Sequence, residues 1–407
     1  MNSKSFTPVL RFMVVSDIHI KDYPSPERER FEKAIQYAYR IVRGSDSYKK
    51  LDAICVVGDF ADNGSLIQMQ AAKKIIDDNI KADETQLVIS IASHEHHTEG
   101  GPEVSTKRLT EVFGCPPDNH FVINGFHFVS ITPSHSCNFN EEKQKWMAEN
   151  LKSAAEDDRS KPIFVFQHPH NTDSVYGSIL WGEDELIPYY MHYPQIIHFS
   201  GHSHVPINDP RSIHQQHFTA LGTGTLSYFE LDEFDKYYGT LPPKKENAAQ
   251  MLIVEADADN RVRVYPYDVL TDHYFPYVWE IDKPSDPTTF KYTRERYTNA
   301  SHPYFDDKAE VNILNVSDSG VEVEFSQAES DDDPYVNSYD ISVKNADGFI
   351  VRKKSMWSEY YFYNMPEKLS ISLDGLEADT DYTVEVSANS FWYTKSKNTI
   401  KAEFHTK

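Results

Sequence analysis

Five short apolar runs, each breaking off in a histidine or an aspartate, constrain this chain more than any other feature. Phe12–Ser16 leads into Asp17-Ile18-His19, and Ile54–Val57 leads into Gly58-Asp59-Phe60-Ala61-Asp62. Leu87–Ala92 leads into Ser93-His94-Glu95, Ile163–Gln167 into His168-Pro169-His170, and Ile196–Ser200 into Gly201-His202-Ser203-His204. Runs of this length, rich in Val, Ile and Phe, read as buried strands. In an open α/β sheet the carboxyl ends of parallel strands share the edge where ligands bind, so residues far apart in sequence converge there. Of 18 histidines, 15 fall between His19 and His217. The pattern predicts a site built from imidazole and carboxylate.

Between the strands lie helical patterns. Phe31, Ile35, Ala38 and Val42 recur at helical spacing after Ser25-Pro26-Glu27, and further helices are expected over Ser65–Asp78 and Glu141–Asp157. The strand expectations are Leu10–Ser16, Ala53–Val57, Leu87–Ala92, Phe126–Thr132, Ile163–Gln167 and Gln195–Ser200. Beyond these the chain reads as strand after strand, at His217–Leu221, Thr225–Leu231, Met251–Glu255 and Arg261–Tyr265. Asp232–Asn247 shows no clear period and reads as a lid or a surface loop. A polar stretch with Pro284 and Pro287 suggests a linker, which divides the chain into residues 1–283, a linker over 284–300, and residues 301–407. The last part alternates apolar and polar residues, as in Val321-Glu322-Val323-Glu324-Phe325 and Tyr382-Thr383-Val384-Glu385-Val386, and predicts about seven short strands in a β-sandwich. Its Leu373-Asp374-Gly375-Leu376 and Thr380-Asp381-Tyr382 passages resemble a fibronectin type III or Ig-like module, with Tyr382 at the tyrosine-corner position. Such a module implies contact with carbohydrate, protein or a second subunit.

Forty Lys plus Arg against 63 Asp plus Glu give a net charge of −23, which repels phosphate polymers and anionic lipid and argues against a nucleic-acid scaffold. Cys55, Cys115 and Cys137 form no C-x-x-C pair and read as ordinary thiols. The start Met1-Asn2-Ser3-Lys4-Ser5-Phe6 carries no apolar signal core, and no run approaches the ~18 apolar residues of a membrane span. The expectation is a cytoplasmic protein, the alternative a secreted one whose signal has been removed.

Carboxylates and imidazoles together suit Mn, Fe, Zn or a mixture, whereas calcium favours oxygen alone. An i, i+2 pair just past a strand can aim two donors inward, and the glycines before Asp59 and His202 leave room for a sharp turn. Taken in order, the blocks D-x-H, G-D-x-x-D, S-H-E, H and G-H-x-H resemble the calcineurin-like metallophosphoesterase superfamily, over residues 9–270. That resemblance implies a four-layer αββα sandwich, here followed by the all-β domain, and a pair of divalent cations. It implies Asp17, His19, Asp59 and His204 as ligands of the first ion, and Asp59, the residue at 93, His168 and His202 as ligands of the second. It further implies a metal-bridging hydroxide for in-line attack on phosphorus, with His94 serving the leaving group and Asp62 or Glu95 holding its ring. One block departs from the family: Ser93 stands where the family has Asn, so a weaker second site is expected.

Similarity to bacterial phosphodiesterase-like members favours a phosphodiesterase acting on a small phosphoester or a phosphorylated glycan or nucleotide. The alternatives are a nucleotide or sugar phosphomonoesterase, and a weakened enzyme that serves as a binding protein. The zincin motif H-E-x-x-H fails at Thr98, and H-x-H-x-D-H fails at Thr98 and Glu99. His96 and His97 read as rim or surface residues, and His135 and His198 as hydrogen-bonded histidines in or near the core. Tyr176 and Trp181 are candidates for an aromatic wall over the metal edge, and His170 for a substrate contact or a partner of a ligand.

Overall fold

The structure, a computed structural model, describes residues 5–231 and 240–407. Two compact units divide the chain, Met1–Thr293 and Arg294–Lys407. In the first, Pro8–Val15, Ala53–Val57 and Gln86–Ser90 run parallel in one sheet, with Gln250–Asp257 antiparallel on the free side of Pro8–Val15. A second sheet holds Phe126–Ile131, Ile163–Gln167, Ile196–Ser200 and Thr219–Gly222 in parallel, with Asn119–Ile123 and Ile213–Gln215 antiparallel at its edges.

The period of two along each strand sorts the layers. Phe12 points to the second sheet, where its ring lies 4.8–6.2 Å from those of Phe128, Phe164, Phe166 and Phe199. Met13 and Val15 point the other way, against Phe31, Ile35 and Ala38 of helix Pro26–Gly44 and Met69, Ala72 and Ile76 of helix Leu66–Asn79. On the far side of the second sheet, Val129, Ile131 and Val165 pack on Met147, Leu151 and Ala154 of helix Glu141–Asp157. The result is helix, sheet, sheet, helix. Both sheet faces are covered, which is why these strands read as unbroken apolar runs. Side chains start the helices: Asn140 accepts from Lys143 N at 3.0 Å, and Ser65 from Gln68 N at 3.3 Å.

Two features differ from expectation. Helix Gly101–Phe113, where no helix is expected above, opens on Gly100-Gly101-Pro102, which supplies a proline in the first helical turn. Thr225–Leu231 forms no strand. Thr225 Oγ1 and Leu226 N donate to the Asp17 carbonyl at 3.0 and 3.2 Å, while Arg30 donates to the carbonyls of Leu226 and Ser227. Its backbone is committed to bracing the loop that carries Asp17. Of Asp232–Asn247, residues 232–239 lie outside the described ones.

In the second unit Val311–Val316, Gly320–Ser326 and Lys368–Asp374 form a three-stranded sheet, and Ser338–Asn345, Ile350–Trp357, Asp381–Asn389 and Ile400–His405 a four-stranded one. Val323, Phe325, Tyr339, Ile341, Val384 and Val386 belong to its core. Tyr382 Oη accepts from Glu377 N at 3.0 Å, tying the start of a strand to the turn before it. Among the described residues no helix is long and apolar enough to cross a membrane.

Candidate metal centre

The strand ends of both sheets meet at one edge, and the backbone there is unusual. Asp17, His19, Asp59, His202 and His204 all hold φ between 50° and 74°, the left-handed region that side-chain-bearing residues seldom adopt. Such strain persists where surrounding contacts over-determine it. Those contacts are present: Ile18 N and His19 N both donate to Asp59 O, at 2.9 and 3.0 Å, and His202 N donates to the Asp17 carboxylate at 3.1 Å. Position 201 admits only glycine, because a Cβ there would collide with Asp17 Oδ2 and Ser16 Oγ.

Three groups of candidate ligands result among the described residues: Asp17 with His19 and His204, Asp59 with His168 and His202, and, sharing His19 with the first, Asp62 and His94. In the first, His204 Nε2 lies 3.2 Å from Asp17 Oδ1 and 3.1 Å from His19 Nε2. In the second, His168 Nε2 lies 2.9 Å from Asp59 Oδ2 and 3.7 Å from Asp17 Oδ1, so it also links the two. The outer nitrogens are fixed by main-chain carbonyls, His168 Nδ1 on Val57 O at 2.7 Å and His204 Nδ1 on Tyr228 O at 2.9 Å. A nitrogen held this way turns its partner nitrogen to the cluster as a lone-pair donor.

Electrostatics follow from burial. Burial alone would raise the Asp17 and Asp59 carboxyls, but the facing histidines hold both well below the usual carboxylate range. Burial works against a charged His168, yet Asp59 and Asp17 raise it to about 10. Burial and the neighbouring His204 keep His19 well below its ordinary value. The two buried carboxylates therefore make a strong site for positive charge.

The remaining expected residues fall into three groups. Ser93, buried, turns its hydroxyl to the Asp59 carboxylate at 3.1 Å. His94 stacks edge-on to His19, centroids 4.4 Å apart, and its Nδ1 bonds to the main-chain carbonyl of Asp62 at 2.8 Å. The Asp62 carboxylate instead pairs with Lys21 and lies 3.9 Å from His19 Nδ1. Glu95 does not hold the His94 ring: it is fully buried and accepts from the backbone N–H of Asp59, Ala61 and Ala92, which ties two of the ligand-bearing loops together. Burial and the Asp59 charge push its carboxyl up to about 8.

His170 is corrected as a substrate contact. It is buried, and its two nitrogens are taken by Ser200 Oγ at 2.8 Å and Ser203 Oγ at 2.7 Å. Tyr176 lies under the Arg211 guanidinium, 3.5 Å from ring centre to cation, whereas Trp181 meets the cluster with its ring 4.8 Å from that of His202. His96 is no rim residue: it is buried between Ser105 Oγ and Pro133 O. His135 is exposed, and His198 is buried with neither nitrogen hydrogen-bonded.

Two residues that the motifs do not flag also reach the site. Cys137 Sγ lies 3.2 Å from His202 Nε2, and burial beside Asp59 pushes the thiol up to about 12. Tyr228 lays its ring 4.3 Å from that of His204. Neither sits in a recognisable spacing, and Tyr228 falls in the segment that reads as a strand.

The donors suit a metal. His19 Nδ1 and His168 Nε2 are buried without a hydrogen bond, and the donor set is nitrogen and carboxylate oxygen at spacings of about 3 Å, as around one cation with bonds of about 2 Å. The match to a family model points the same way. Residues 10–206 match the family model of calcineurin-like phosphoesterases. Among solved structures, purple acid phosphatase PPD1 from yellow lupin seeds matches with a TM-score of 0.48 and 14% identity, over 68% of this chain and 54% of that one. This chain thus spans about half the length of that phosphatase. One structure described as "Myokine structure" matches with 22% identity and another described as "Structure of FN3tt mut" with 17%, each over 26% of this chain and with a TM-score of 0.19; they are covered to 98% and 97%. A search of curated proteins gives no match.

Proposed function

Residues 10–206 form a calcineurin-like phosphoesterase domain, and from that premise we propose that this metal-dependent phosphoester hydrolase acts on phosphodiesters through a pair of divalent cations. The observation that carries the reading is the convergence of the Asp17–His19–His204 and Asp59–His168–His202 groups, joined by His168, with His19 Nδ1 buried beside them and without a hydrogen bond. Asp17, His19, Asp59 and His204 would hold one cation; Asp59, His168, His202 and the Ser93 hydroxyl would hold the other. Asp59 would serve both, because a carboxylate has two oxygens to share. When bound, two such ions, drawn from Mn, Fe or Zn, acidify a water and offset charge growing on the phosphoryl oxygens.

The chain's own groups do the rest. His94 holds its Nδ1 on the Asp62 carbonyl, which leaves Nε2 to serve a departing alkoxide. Glu95 keeps the Asp59 and Ser93 loops in register. Trp181 forms an apolar wall beside His202. The C-terminal unit serves as a fibronectin type III or Ig-like module, a reading supported by its two sheets and the Tyr382 bond to Glu377.

The diester preference is supported by the five motifs themselves, which contain no Lys or Arg to hold a doubly charged terminal phosphate. Assaying bis-p-nitrophenyl phosphate beside p-nitrophenyl phosphate with added Mn²⁺ tests it. Faster diester turnover is expected; faster monoester turnover assigns the same centre to a nucleotide or sugar phosphatase.

A further inference from the structure

We propose that the segment 172–181 is an apolar rim that selects phosphoesters carrying an alkyl or aryl group; the proposal rests on the hydrolase reading above.

The segment is clamped at its base. His170 and Asn171 pair with Gly182 and Glu183 in a short parallel ladder, and Gln167 Nε2 donates to Glu183 Oε1 at 2.7 Å. His170 bonds to Ser200 and Ser203, and Val175 is buried. Gly177 packs so closely on the loop between the two ligand histidines that a Cβ there would lie 2.8 Å from Ser203 Cβ. Four residues later the Trp181 ring meets His202 edge-on. Between these two anchors the turn Ser178–Trp181 presents Ile179 and Leu180 to water, 68% and 59% exposed.

Single exposed apolar residues are ordinary on a protein surface. These two are adjacent, and Gly177 and Trp181, which bracket them, lie against the His202-Ser203-His204 loop. A phosphoryl group held by the clusters leaves the organic part of its ester to extend past the ligands. On the His202 side that part meets Trp181, with Leu180 and Ile179 beyond it. These three side chains are apolar, so a sugar or glycerol group gains little there, while an alkyl chain is removed from water. A lipid bilayer is the other apolar occupant, but a chain of net charge −23 is repelled by anionic membranes. The occupant favoured is therefore the apolar group of a dissolved ester.

The test compares methyl, butyl and hexyl diesters of glycerol phosphate with the metal-loaded protein, following turnover by phosphorus NMR, and compares methyl- with hexylphosphonate binding by calorimetry. With up to about fourfold gained per buried methylene, hexyl is expected to exceed methyl by about tenfold or more in kcat/KM and in affinity. In the Ile179→Ser/Leu180→Ser double variant that ratio should fall toward one, whatever happens to the absolute rate. A flat series in the parent protein, or a ratio unchanged in the variant, overturns the rim. Should no ester be hydrolysed, the hydrolase reading fails, and the phosphonate ratio still decides the rim. Cosedimentation with zwitterionic vesicles that is lost in the variant would overturn it in favour of a membrane surface.

Discussion

The two halves of the metal edge share a chemistry and differ in what stands behind it. Asp17, His19 and His204 are themselves all buried, and the His204 ring is fixed by a main-chain carbonyl. Around Asp59 and His168 the same holds on one side only. His202 is partly exposed and lies against a thiol and an indole, and a serine hydroxyl stands where the family resemblance implies an amide. Carbonyls and carboxylates orient an imidazole strongly, whereas a thiol is a weak partner. The first half is thus preorganised by backbone, and the second depends on side chains that sequence can vary. The departure at Ser93 falls on the half that faces the proposed substrate rim.

Substitutions can break or sharpen that contrast. Asp59→Ala removes the one residue proposed to serve both cations. Hydrolysis should fall by about three orders of magnitude or more, with both ions lost together on metal analysis. An intact metal count would contradict the shared role. Ser93→Asn acts on the second half alone. It should tighten the weaker ion by about tenfold or more and raise turnover at limiting metal. If neither the parent protein nor the Ser93→Asn variant hydrolyses any phosphoester at saturating metal, a binding protein becomes the better account. Cys137→Ser is the mildest change, since a hydroxyl keeps a polar group beside His202 Nε2. The weaker affinity should move by about tenfold or less and the tighter one not at all, as read by competition with a metal indicator. Equal weakening of both sites would erase the distinction between the halves.

Much of this edge was legible in the sequence because its information is local. Asp17-x-His19, Gly58-Asp59 and His202-x-His204 each follow an apolar strand, and parallel strands can only bring such ends together at one edge. What stayed hidden depends on main-chain groups or on distant loops. The Asp62 carbonyl, not its carboxylate, holds His94, and no side-chain identity encodes that. Glu95 looks like a partner for the neighbouring ring but spends its oxygens on three backbone N–H groups. Cys137 reaches His202 from the loop after Phe126–Ile131, 65 positions away. Tyr228 sits in a run read as a strand whose backbone bonds are scattered over Asp17, His204, Thr240, Lys245 and Gln250 and build no ladder, so propensity pointed the wrong way. Helix Gly101–Phe113 was masked by the glycines and proline that start it.

The central claim, two unequal cation sites acting together, is tested most directly by titrating metal-stripped protein with Mn²⁺ while counting bound ions and following diester hydrolysis in the same samples. The account predicts two ions per chain, a tight one and a weaker one, with activity rising only as the second is filled. Full activity at one equivalent would contradict it.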